Sequence, residues 1–257
     1  MMQDDRKSGN TFPHLTDAPA TEAIIFIAFK PTRFATLDAI HKFQHKMANT
    51  FPFSTPILTH NNRIQVLNDK PSYTQHVEQQ GVQLENQEQR LIAKIGLDSL
   101  FLSKLKPYTD GTDLISNYKS LFERYLELLQ PENIQHISMR YINQFDVEAD
   151  SADKYLNYLP GLNFYDSKTV YGGENLFRTV MADENNCRAY YTQLIRPIKK
   201  NNEMYLNVTI DIDAHKQGFI DSDWDSLNAV MSQLRYFKNN IFFASITPEC
   251  VKLFKPS

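Results

Sequence analysis

The feature that most constrains this chain is a continuous apolar run at residues 23–29, "AIIFIAF". The run is too short for the roughly 18–20 apolar residues that cross a bilayer. Its Ile and Phe residues and its lack of polar alternation predict a strand that is covered on both faces. Glu22 stands directly before it. Because burying an unpaired carboxylate is costly, Glu22 must be exposed or paired, and Arg140 on a second predicted strand is the expected partner.

Two long segments, residues 113–129 and 222–240, carry apolar residues at the spacing of one helical face. Ser222 with Asp225 resembles a capping box at the start of the second helix. A shorter helix is predicted at 35–49. Strands are predicted at 22–29, 57–66, 82–85, 90–105, 134–147, 169–182, 187–197 and 203–213, and a short helix at 152–158. Residues 67–89 and 159–175 are predicted to be loops.

The order of these elements predicts the fold class. Each half of the chain reads as a strand, a helix, several strands and a long helix. This pattern predicts an α+β fold of antiparallel sheets with the long helices packed on one face, and the shared order suggests a pseudo-duplication of the halves. We expect a flexible N-terminal tail at 1–14, a first α+β half at 15–131 and a second at 132–257.

Charge and cysteine content limit the functional classes. The chain has 27 basic and 30 acidic residues, a formal charge of −3, which gives no case for broad binding to nucleic acid or to a membrane. Cys187 and Cys250 are far apart and form no disulfide framework or paired metal motif. The polar N-terminal stretch lacks the apolar segment of a signal peptide. We therefore expect a cytoplasmic protein that requires no cofactor.

The candidate site residues are mostly carboxylates. Asp211 and Asp213 are two residues apart on a predicted strand, so they share one face with each other and with His215. The set could serve a metal or acid–base chemistry, or it could be a solvated strand face. His41 and His45 have the spacing of two zinc ligands but lack the HExxH glutamate. Solvated faces are the favoured reading of both, so no catalytic or metal residue is assigned.

Four short stretches carry a resemblance. They are "DAPATEAIIFIAF" near the start, "RYIN" at 140–143, "VTIDID" at 208–213 and "FFASITPECVKLF" at 242–254. In this order they resemble the motifs of a sporadically distributed bacterial family of about this length, for which no activity is established. The resemblance implies a bacterial origin and supplies no mechanism.

The sequence therefore favours a non-catalytic binding or protein-interaction module. The expected contact residues are Glu22, Arg140, Asn143, Asp211 and Asp213. A protein partner or a second copy of the chain is expected, and no membrane. One alternative is a small-molecule-binding or hydrolytic enzyme that uses Asp211 and Asp213. Another is a nucleic-acid-associated component of a bacterial accessory or defence system, which the net charge disfavours.

Overall fold

The computed structural model describes residues 12–67, 70–107, 111–148, 157–160 and 174–256. The strands are β1 (Ala20–Phe29), β2 (Phe53–Leu67), β3 (Lys70–Asn86), β4 (Leu91–Gly96), β5 (Ser99–Leu105), β6 (Ile134–Glu148), β7 (Asn175–Ala182), β8 (Arg188–Lys200) and β9 (Glu203–Ile220). The helices are α1 (Leu37–Met47), α2 (Gly111–Leu129), α3 (Trp224–Ala244) and α4 (Pro248–Lys252).

The strands form one antiparallel sheet of nine strands in the order β2-β3-β4-β5-β1-β6-β9-β8-β7. The predicted α+β class, antiparallel sheets with the long helices packed on one face, is therefore wrong. The protein is mainly β, and β1 and β6 pair with each other at the centre of a single sheet. As its apolar run predicted, β1 is an interior strand, flanked by β5 and β6.

The loop predicted at residues 67–89 is also wrong. Most of this stretch is β3, which pairs with β2 over its whole length. Only residues 81–86 of β3 also pair with β4, so the rest of β2 and β3 forms a two-stranded ribbon beyond the sheet. Where its side chains are described, at residues 58–60 and 75–78, the ribbon is exposed. An exposed strand needs no alternation of apolar and polar residues, which is the pattern by which a strand is recognised in sequence.

Gly81 marks the point where the ribbon leaves the sheet. The register of β2 and β3 shifts there, between Ile57 and Leu58. A Cβ atom at Gly81 would overlap the carbonyl oxygen of Ile95 on β4. Glycine is needed at this position because another backbone approaches it closely.

Helices α1 and α3 begin at capping side chains. Thr36 Oγ1 accepts a hydrogen bond from the backbone N–H of Ala39 at 3.2 Å, which starts α1. Asp223, and not the predicted Ser222, caps α3 by accepting from the N–H of Ser226 at 2.8 Å. The two long helices otherwise confirm the predicted segments, and Leu121, Phe122, Leu227 and Leu234 are buried as expected.

The two faces of the sheet differ in what contacts them. The closed face carries Ile25, Met139 and Ile212, all fully buried. Residues of this face meet the described helices. Phe29 stacks on Tyr125 of α2 at 4.5 Å between ring centroids, and the Tyr118 hydroxyl donates to the Leu100 carbonyl at 3.3 Å. The opposite face, called the open face below, carries Glu22, Arg140, Asp211 and Asp213.

Some predictions fall on residues that the structure does not describe. The helix at 152–158 and the loop at 159–175 lie mostly outside the described ranges, as do residues 1–11 of the predicted tail. The boundary between the two halves stays a prediction. Within the described ranges, no helix has both the length and the apolar character needed to span a membrane.

Candidate ligand-binding site on the open sheet face

The candidate site lies where the central strands of the sheet meet. Strand register places one row of side chains across the open face, in the order Ser103, Ile24, Arg140, Asp213 and Tyr190. These residues come from five strands, and the row runs from β5 to β8. Because strand residues alternate between faces, the neighbours two positions along each strand lie on the same face. The site is therefore assembled from segments that are far apart in sequence.

Arg140 is held by Asp211 in a two-point ion pair. The guanidinium Nε donates to Asp211 Oδ1 at 2.9 Å, and NH2 donates to Oδ2 at 2.7 Å. The Arg140 side chain is 42% exposed and the Asp211 side chain 21%. These hydrogen bonds raise the pKa of Arg140 above its usual value, and the charges of Asp211, Asp213 and Glu22 act in the same direction. A two-point contact of this kind fixes the relative orientation of the two side chains and also strengthens their interaction.

Glu22 is not the partner of Arg140, as had been predicted. Its Oε1 accepts a hydrogen bond from the Ser103 hydroxyl at 2.6 Å. Glu22 lies opposite Ile142 and Leu105 in the register, so it occupies the row next to Arg140. The carboxylate at the start of β1 is thus partly exposed and paired with a neutral hydroxyl, and its charge acts on Arg140 through space.

Asp213 has a buried oxygen without a partner. It lies directly opposite Arg140 on β6 and opposite Tyr190 on β8. Its Oδ1 atom is buried and has no hydrogen-bond partner in the described part of the chain, and the same holds for His136 Nδ1. Buried polar atoms in folded proteins almost always have a partner, so a buried atom without one calls for an explanation, such as a functional role.

Two histidines lie along the open face near Asp213: His215 is two residues from it on β9, and His136 on β6 lies opposite Gln217, four residues from Asp213. The rings of His136 and His215 are 5.5 Å apart, and Tyr190 stacks on His215 at 4.9 Å. Burial lowers the pKa of His136, the charge of His215 lowers it further, and Asp213 opposes both effects. His136 is therefore a neutral imidazole at neutral pH. We call Glu22, His136, Arg140, Asp211, Asp213 and His215 the polar cluster.

The centre of the open face is sheltered from solvent. The exposed fractions of Ser103, Ser138 and His215 are only 1%, 6% and 4%. Phe26 lies 5.8 Å from His136, between ring centroids, and Tyr190 is 56% exposed. The polar cluster is thus bordered by aromatic side chains, and its charges interact more strongly than they would in bulk water.

Asn143 does not belong to this group. Its side chain is 7% exposed and its Nδ2 donates to the Ile210 carbonyl at 3.2 Å. It lies three residues from Arg140 on β6, so it occupies the opposite, closed face. Of the five predicted contact residues, the structure brings Glu22, Arg140, Asp211 and Asp213 together and places Asn143 elsewhere.

The other sequence candidates have local partners. Asp38 pairs with Lys42 at 2.6 Å, and His41 and His45 line a shallow depression of about 280 Å³ beside α1. Among the described residues no group of three or more His, Cys, Asp or Glu side chains is suited to hold a metal ion. Asp211, Asp213 and His215 do share a face, but Asp211 is engaged by Arg140.

The densest basic stretch of the chain, at 196–200, leads into a hairpin tip between β8 and β9. Asn201 and Asn202 both have positive φ angles, 48° and 68°, which suit a two-residue hairpin turn. Arg196 pairs with Glu174 at 2.7 Å, and Lys200 pairs with Asp146. These charges are partly neutralised by acids, which weakens the case for a phosphate-binding patch.

Sequence reasoning missed His136 and Tyr190. The signal for His136 was available: it lies four residues before Arg140 on β6, and an even separation on a strand means a shared face. Tyr190 was not predictable in this way, because it joins the row through the pairing of β8 with β9.

Comparisons with known proteins do not assign a function. No protein-family model matches the chain, and no curated protein matches it. This outcome agrees with the resemblance to a family that has no established activity. Among solved structures, the chain is similar to the crystal structure of DynU16, described as a protein in the dynemicin biosynthetic locus. The identity is 11%, with 91% of this chain and 96% of that chain covered, and the TM-score is 0.19. At these values the likeness carries no argument about fold or activity.

Proposed function

We propose that this protein is a binding module and that its ligand or partner contacts the polar cluster on the open face. The observation that supports this most is the pair of buried, unpartnered atoms, Asp213 Oδ1 and His136 Nδ1. Desolvating a polar group without a hydrogen bond costs about 1–3 kcal/mol by mutational measures. A sheet face that carries two such atoms is poised to form hydrogen bonds with another molecule.

The hydrolytic alternative is weaker because it needs two available carboxylates. Both oxygens of Asp211 are engaged by Arg140. An acid–base pair made of Asp211 and Asp213 would require this two-point contact to break before either residue could act. Glu22, the third carboxylate, is held by Ser103. These contacts hold the carboxylates of Asp211 and Glu22 in place and do not favour proton transfer by them.

The nucleic-acid alternative is opposed by the sign of the charges. Glu22, Asp211 and Asp213 would repel phosphates at the centre of the open face. The basic hairpin at 196–200 offers no compensating surface, because Arg196 and Lys200 are paired with acids.

The test is a fragment screen read by two-dimensional NMR with the isotopically labelled full chain. The library contains neutral, cationic and anionic fragments in equal number. We expect the hits to shift backbone signals of β1, β6 and β9 around Glu22, Arg140 and Asp213. The variant Asp213→Asn should lose these hits, and Glu184→Gln, which removes a charge from an exposed turn, should keep them. Hits confined to other surfaces, or no hits at all, would refute the proposal.

A further inference from the structure

This inference rests on the proposed binding role of the open face and concerns the chemistry of the ligand. We infer that the polar cluster receives a cationic group, a protonated amine or a guanidinium, which donates a hydrogen bond to Asp213. Neither the fold nor the comparisons assign such a ligand. Three features of the polar cluster support this inference: its charge balance, its hydrogen bonds and the side chains that surround it.

Charge balance comes first. Within the polar cluster, the carboxylates of Glu22, Asp211 and Asp213 surround one guanidinium, that of Arg140. Arg188 lies opposite His215 on the same face, but it is exposed and outside the centre. An added anion would meet three carboxylates in a sheltered setting, whereas an added cation would balance the excess negative charge.

The hydrogen bonds of Arg140 and Asp213 indicate where the cationic group would bind. Arg140 lies directly opposite Asp213, yet its Nε and one NH2 donor are both directed to Asp211. The two-point contact fixes the guanidinium plane on Asp211, and Asp213 Oδ1 stays buried without a donor. Because a carboxylate is an acceptor only, the missing partner must be a donor. An external ammonium or guanidinium supplies donors and the opposite charge together.

The surrounding side chains also suit a cation. Burial lowers the pKa of His136, so this ring carries less positive charge near neutral pH than an exposed histidine would. Tyr190 borders Asp213 on β8, and more than half of its side chain is exposed. An exposed aromatic ring attracts cations through its negative face.

A matched set of small probes tests the ligand class. Butylamine, butyramide and butyrate have carbon chains of similar length and differ in charge, and methylguanidine adds the planar cation. Each is titrated into the labelled full chain, and the shifts of Asp213, His136 and Tyr190 signals give an affinity. We expect the two cations to shift these signals and the neutral and anionic probes to bind at least tenfold more weakly.

Variants separate the site from general charge effects. Asp213→Asn should weaken butylamine and methylguanidine at least tenfold, whereas Glu184→Gln, in an exposed turn, should change their affinity less than twofold. If the first variant does not fold, Glu22→Gln should still weaken both cations by two- to fivefold. Unchanged affinity in both cluster variants would overturn the inference.

The pattern of failure distinguishes the two proposals. If butyrate or butyramide shifts the cluster signals as strongly as butylamine does, the cationic class is wrong and the binding role stands. If none of these probes and none of the library fragments shifts the cluster signals, both proposals fail.

Discussion

The ion pair of Arg140 and Asp211 gives the sharpest stability prediction, because its geometry and exposure limit the range of its coupling free energy. The perturbation is Arg140→Gln, Asp211→Asn and the two together. Arg140→Gln leaves Asp211 without its donors and removes the positive charge that Glu22 and Asp213 also act upon. We therefore expect the arginine substitution to cost more than the aspartate substitution.

The magnitude follows from partial burial. Exposed ion pairs contribute about 0–1 kcal/mol, and breaking a buried pair costs about 3–5 kcal/mol. The side chains of Arg140 and Asp211 are 42% and 21% exposed, so solvent screens much of the interaction. The two hydrogen bonds compensate in part, since bonds to charged groups contribute about 1.5–3 kcal/mol each when well shielded. We expect a coupling free energy of about 1–2 kcal/mol and a cost of about 2 kcal/mol for Arg140→Gln.

The assay is urea unfolding of the four proteins, with the coupling taken from the double-mutant cycle. With an m-value of about 2–3 kcal/mol per molar urea, a cost of about 2 kcal/mol lowers the midpoint by about 0.7–1 M. The chain offers a matched control in Lys30 and Glu132. This pair has the same 2.7 Å separation, but its side chains are 50% and 54% exposed. Its coupling should stay below about 0.5 kcal/mol.

Two results would refute the reasoning. A coupling for Arg140 and Asp211 no larger than that of the control pair would show that partial burial adds nothing here. A coupling that disappears in molar salt would show that the pair behaves as a fully exposed one, since screening acts chiefly on exposed charges.

Four further predictions concern the rest of the fold. Leu121→Ala should destabilise by about 2–5 kcal/mol in urea unfolding, because the side chain is fully buried, and an unchanged midpoint would contradict this. Gly81→Ala should cost about 1–3 kcal/mol through overlap with the Ile95 carbonyl, and a neutral result would mean that β4 yields easily. His136 has a lowered pKa in the folded state, so the unfolded state takes up protons first and stability falls as the pH drops below about 6.5; His136→Gln should reduce this loss, and an equal loss in the variant would contradict the prediction. Burial raises the pKa of the Cys250 thiol to about 12 and raises that of Cys187, so iodoacetamide at about pH 8 should label both only after unfolding, and rapid labelling of the folded chain would contradict their burial.

The parts of the fold that could be predicted are those with a one-sided or fully apolar pattern. The stripes of α2 and α3 and the buried run of β1 have such patterns, and each was located to within a few residues. The ribbon formed by β2 and β3 is exposed at residues 58–60 and 75–78, where its side chains are described, and its polar sequence resembled a loop.

The candidate site was predictable in its members but not in its pairings. Arg140 and Asp211 could be proposed separately, but their contact depends on the register of β6 against β9, which no local pattern encodes. Asn143 was placed with Arg140 because both belong to one short motif. Their odd separation on a strand already indicated opposite faces, so this error could have been avoided.

The central position of β1 has a consequence for synthesis on the ribosome. Ile24 emerges first, yet its neighbours in the sheet are Ser103 and Arg140. At about 5–20 residues per second, the apolar run of β1 waits on the order of ten seconds for its second neighbour. A nascent chain in this state exposes an apolar segment whose two strand edges are not yet both hydrogen-bonded to neighbouring strands. Chaperone contact during translation, and aggregation of chains truncated before β6, should therefore concentrate on residues 23–29.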